Sequence, residues 1–69
     1  MEVSARNALK GTVKNVVVGS VNSEVIIEIA PGVEVTAIIT KSSAENLKLT
    51  EGKEVYAIVK SSDVIIAID

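Results

Sequence analysis

The sequence predicts an all-β domain of five short strands, with one short helix between the third and fourth. Three observations carry this. Apolar and polar residues alternate at period two through most of the chain, the spacing of a strand with one buried face. Val and Ile dominate an apolar fraction of 48%, and Tyr56 is the single aromatic residue; β-branched side chains favour the pleated sheet. One segment, near Lys41, abandons the alternation and carries helix-start residues instead.

Taken in order, the first strand runs from Leu9 to Val18. Leu9, Val13 and Val17 share one parity, Lys10, Thr12 and Lys14 the other, and Val16 and Val18 make the far end apolar on both sides. Gly19-Ser20 marks a turn. The second strand spans Glu24 to Ala30, with Val25, Ile27 and Ile29 on one face and Glu24, Ile26 and Glu28 on the other. In Ala30-Pro31-Gly32, Pro presets a turn dihedral and Gly is free to take positive φ. The third strand, Val33 to Thr40, puts Val33, Val35, Ala37 and Ile39 inward. Ser42 or Ser43 is then expected to cap a short helix ending near Leu47. Thr50-Glu51-Gly52-Lys53 is the next turn. A fourth strand runs from Glu54 to about Lys60, and after Ser61-Ser62 a fifth runs from Asp63 to Ile68, apolar on both parities.

Three strands, a helix and two strands is the element order of the OB-fold, a five-stranded Greek-key barrel; an SH3-like barrel also accepts five short strands. The outward apolar residues Val16, Val18, Ile26, Ile38, Ile58 and Ile65 suggest a second apolar face. They are assigned to a subunit interface.

With 69 residues the chain is one domain, 1–69. A domain of this size buries only about 60% of its unfolded surface. There is no Cys and no His, so neither a disulfide nor a structural zinc site supports it, and small unstapled domains gain burial by association. The mean hydropathy of +0.44 is high for so short a chain. No run reaches membrane-spanning length, and Met1-Glu2-Val3 does not open a signal peptide. Cytoplasm is the expected location.

Chemistry narrows the field further. Without His, Ser-His and Cys-His arrangements are excluded, and the carboxylates are spread over strand faces and turns, where solvation explains them. Lys60 beside Ser61-Ser62 is no activated pair, since an exposed Lys keeps its proton. The four glycines read as turn chemistry, with no phosphate loop among them. The chain is therefore not expected to be an enzyme. Single-strand nucleic-acid binders stack bases on aromatics along a basic groove; one Tyr and a net charge of −2 supply neither. What is left is the stretch Ser4-Ala5-Arg6-Asn7. Its hydroxyl, guanidinium and carboxamide all donate hydrogen bonds and none is negative, a composition suited to an anion. A polar lead-in to a strand is, on its own, more often a solvated terminus.

Ser4-Ala5-Arg6-Asn7, Leu9-Lys10-Gly11 and, late in the chain, Lys60-Ser61-Ser62-Asp63-Val64 resemble the molbindins, the Mop-type molybdate-binding proteins with a single Mop or TOBE-like domain. Val21-Asn22-Ser23-Glu24-Val25 and the run Glu51 to Ala57 are similar to the family pattern as well, so the resemblance covers essentially the whole chain. It implies an OB-like barrel assembled as a homohexamer, a trimer of dimers, that stores or buffers molybdate and tungstate in the cytoplasm. It implies anions held between subunits by Ser4, Ala5, Arg6 and Asn7 with Lys60, Ser61 and Ser62. A second site is implied near Gly19, Ser20 and Ser42. No cofactor and no direct cation ligand are implied.

The chemistry of the ligand agrees. Molybdate is a tetrahedral dianion whose four oxygens all accept, so hydroxyls and backbone N–H groups suit it. Arg6 and Lys60 would compensate its charge, one as a planar fork and one as a point charge. Asp63 would repel it and is assigned to turn capping. Two alternatives stay open: an OB-type nucleic-acid-binding module, and a structural oligomerisation or regulatory domain without ligand.

Overall fold

Alternation and β-branched composition produce the strands, and the computed structural model describes all of residues 1–69. Strand β1 spans Asn7–Val18, β2 Asn22–Ala30 and β3 Val33–Thr40; helix α1 covers Lys41–Asn46, strand β4 Glu54–Val59, and a 3-10 turn Ser61–Asp63. The strands form one antiparallel sheet in the order β3-β2-β1-β4. β4 thus returns past the helix to lie beside β1. The sheet curls into a half-barrel around Val13, Val25, Ile27 and Ala57, against which Val16, Ile29, Val35, Ala37, Ile39, Leu49 and Val55 pack.

Register explains which parity prediction failed. Val13 pairs with Ile27 and Asn15 with Ile26, so β1 spends two residues where β2 spends one. Lys14 is the extra residue of a β-bulge, and the bulge exchanges the faces beyond it. Val16, opposite Val25, is therefore inside and not on the outer apolar face, while Val17 is exposed. Ile26 is half-buried, and Val18, Ile38, Ile58 and Ile65 are exposed as expected. Gly11 is no turn residue either. It lies inside β1, where a Cβ would come within 2.7 Å of the Glu28 carbonyl oxygen and of Ile27 Cγ2.

The helix is capped two residues before the first of the expected caps. Thr40 is the N-cap, its Oγ1 accepting from Ser43 N at 3.1 Å and donating to Ser43 Oγ at 2.8 Å. The fourth strand ends at Val59. The expected fifth strand, Asp63 to Ile68, is not formed: Asp63 closes the 3-10 turn and residues 64–69 have no regular structure. The physical reason lies in its pattern. A strand apolar on both parities needs cover on both faces, and one curled sheet offers a single layer. Four strands and a short helix are what the single chain builds.

Candidate functional site

The rung that pairs Asn7 with Val59 organises the first candidate cluster. Arg6 precedes one partner and Lys60 follows the other, so the two segments leave the β1–β4 ladder side by side. Sequence positions more than fifty residues apart thereby share one end of the half-barrel. Ser4 and Arg6 are exposed, Ala5 and Asn7 half-buried, and Lys60, Ser61 and Ser62 exposed.

Local structure fixes the second segment. Lys60 is extended at φ −63 and ψ 141, and the turn that follows is closed by Asp63 N donating to Lys60 O at 2.9 Å and Val64 N to Ser61 O at 3.4 Å. Asp63 serves the turn through its backbone, with no side-chain cap there. Ser61 and Ser62 are left with free hydroxyls.

The cations of this end are uncommitted. All three ion pairs of the chain lie elsewhere: Lys10 with Glu54 at 3.0 Å, and Lys14 with Glu34 at 2.7 Å and Glu28 at 3.6 Å. In each case the hydrogen bond to the carboxylate holds the lysine above its ordinary value of 10.5, Glu54 acting on Lys10 and Glu34 on Lys14. Arg6 and Lys60 have no carboxylate within ion-pair distance. Arg6 makes no salt bridge within the chain. Two cations and three hydroxyls with no internal partner form a donor-rich surface, suited to a tetrahedral oxyanion.

Gly19, Ser20 and Ser42 gather at the opposite end of β1. Gly19 N donates to Asn22 O at 2.9 Å, Lys41 N to Val21 O at 2.8 Å, and Asn22 pairs with Thr40, so the β1–β2 turn sits against the start of α1. Ser42 Oγ is 3.4 Å from Thr40 Oγ1. One rung inward lies a residue that sequence reasoning missed. Ser23 is 1% exposed and its Oγ has no hydrogen-bond partner. Its parity with Val25 and Ile27 is the signal for it in the sequence, since β2 begins at Asn22 and not at Glu24. No group of three His, Cys, Asp or Glu gathers anywhere to hold a metal cation. No helix is long and apolar enough to cross a membrane.

Comparison with known proteins gives a consistent picture. The TOBE domain family model matches residues 3–66. Molybdenum-pterin-binding protein 3 of Clostridium pasteurianum is 52% identical over 66 residues, covering 96% of this chain and 97% of that protein. Among solved structures, MopII from Clostridium pasteurianum (apo2) superposes with a TM-score of 0.90 at 48% identity, covering 97% of this chain and 100% of that one. The cytoplasmic molybdate-binding protein ModG, with molybdate bound, superposes with a TM-score of 0.84 at 48% identity over 88% of this chain and 43% of that one. These relatives are binding proteins and not enzymes.

Proposed function

The chain belongs to the TOBE domain family, as a single Mop-type domain, and on that premise we propose that it binds molybdate. The anion is held by Ser4, Ala5, Arg6 and Asn7 together with Lys60, Ser61 and Ser62. The observation that carries the reading is the Asn7–Val59 rung, which brings two uncommitted cations and three hydroxyls to one end of the molecule. Molybdate carries two charges and only acceptor oxygens, and every polar side chain of this set can donate while none is negative. Backbone N–H groups of the two segments complete the shell without adding negative charge. A pterin ring would need a flat apolar or aromatic wall, which these small polar residues do not supply.

Ser4, Arg6, Lys60, Ser61 and Ser62 are exposed on one protomer, so a dry site forms only when a second chain covers it. We therefore place the anion between subunits of a homo-oligomer, a hexamer built as a trimer of dimers. Gly19, Ser20 and Ser42 form a subordinate second site at the other end of β1. Tungstate, with the same geometry and charge, binds in the same place. The role that follows is storage and buffering of these oxyanions in the cytoplasm, with no further cofactor.

Isothermal titration of the protein freed of bound anion tests the reading. Molybdate and tungstate are expected to bind with saturable heat, and sulfate, smaller in radius, much more weakly. Absence of heat with molybdate overturns it. A shift of single-stranded DNA or RNA at low salt, with no molybdate heat, would favour the nucleic-acid module instead.

A further inference from the structure

Asp63 directly follows the Lys60–Ser62 segment, and its carboxylate has no duty in the fold. It is exposed. It enters none of the three ion pairs of the chain and none of its side-chain hydrogen bonds. The 3-10 turn that ends on it is closed by backbone, Asp63 N donating to Lys60 O at 2.9 Å. One such turn sums few peptide dipoles, so a negative charge there stabilises it little. An acidic side chain beside a seat for an anion therefore needs another explanation.

Its position makes the charge matter. The bond from Asp63 N to Lys60 O spans one tight turn, which brings the two Cα atoms within about 7 Å. An anion that touches Lys60, Ser61 or Ser62 thus has the carboxylate within roughly 10 Å. Lys60 does not neutralise it, because the two are not within ion-pair distance. Arg6 and Lys60 alone would match the two charges of molybdate. Asp63 takes one of them back.

We infer that Asp63 sets the affinity of the site from outside its shell of donors. It leaves the anion one charge short of balance, so that the anion is held exchangeably. The inference rests on the molybdate reading above and adds to it a residue that weakens binding. At roughly 10 Å one carboxylate opposes a dianion by a factor of about 4 in affinity in bulk water, and about 300 at the effective dielectric of a protein surface. The repulsion scales with the charge of the ligand. On a logarithmic scale it therefore handicaps a dianion twice as much as a monoanion of the same shape.

The test is isothermal titration of the anion-free full chain and of Asp63→Asn, Asp63→Ser and Asp63→Glu. The ligands are molybdate and perrhenate, a tetrahedral monoanion, titrated directly or by displacement of molybdate. Both neutral variants are expected to bind molybdate roughly 10-fold more tightly and perrhenate roughly 3-fold more tightly, while Asp63→Glu keeps the affinity of the unaltered chain. A merely structural role would change both anions by the same factor. Unchanged or weaker molybdate binding in the neutral variants would overturn the inference, as would an equal gain for the two anions. Failure of both neutral variants to fold would give the carboxylate a structural duty and overturn it too. Absence of molybdate heat in the unaltered chain is a different result, and overturns the functional reading itself.

Discussion

At the scale of single residues, charge and fit set the expected behaviour. Arg6 and Lys60 lack internal partners, so removing either costs the fold little and the ligand much. A hydrogen bond to a charged group contributes about 1.5–3 kcal/mol. Arg6→Ala and Lys60→Ala are each expected to weaken molybdate binding roughly 10- to 100-fold, with the melting temperature of the anion-free protein unchanged. Unaltered affinity in both, measured by titration calorimetry, would refute charge compensation by these side chains. Gly11 shows the opposite case. A methyl group there meets Glu28 O and Ile27 Cγ2 at 2.7 Å and Ile29 Cγ2 at 3.1 Å. Gly11→Ala is therefore expected to destabilise by about 1–3 kcal/mol, the ordinary cost of overpacking, read from urea unfolding.

Elements answer to their pairing. On the outer face, Lys10 reaches Glu54 across the β1–β4 ladder, and Lys14 at the bulge reaches Glu28 and Glu34 across two strands. Both amines hold their protons above 10.5, first through the hydrogen bond and then through coulombic attraction to the same glutamates. The folded value exceeds the unfolded one, so the contribution is complete below the unfolded value and is lost as pH rises through the folded one. Urea midpoints are expected to be flat between pH 7 and pH 9 with respect to these groups and to fall above about 10.5. A Lys10→Met/Lys14→Met variant should lack that part of the alkaline fall and lose little at neutral pH, because exposed pairs are weak. An identical alkaline profile in the variant would show that the lysines do not contribute. At the helix, Thr40→Ala removes the acceptor of Ser43 N and is expected to cost about 1 kcal/mol.

For the whole molecule, seven buried residues out of 69 are too few to account for 48% apolar composition within one copy. The proposed association of copies would cover the rest. An anion bound between copies favours the assembled state by linkage, by about 2.7 kcal/mol at a free concentration 100 times Kd. For a domain of this size that corresponds to a rise in melting temperature of roughly 10–20 °C. Differential scanning at several protein concentrations checks it. The rise should be seen with molybdate and not with chloride, and the oligomer should persist at lower protein concentration when molybdate is present. A melting temperature indifferent to molybdate would place any bound anion outside the cooperative structure.

Features that depend on short spacings are legible in the residues alone. Alternation of Val and Ile with charged residues set four strands, the turn at Pro31-Gly32 set the β2–β3 hairpin, and the loss of alternation at Lys41 set the helix. The missing His and aromatics excluded competing chemistries. The donor-rich stretches Ser4–Asn7 and Lys60–Ser62 were legible as well, because residue type alone declares a hydrogen-bond donor. Tertiary structure decided what depends on long-range pairing. The Asn7–Val59 rung brings those stretches to one end, and the bulge at Lys14 turns Val16 inward. It also leaves Val64–Ile68 unpaired, although their local pattern is that of a strand. A strand is made by its partners, and a half-barrel of one chain has no second layer to cover a segment that is apolar on both faces.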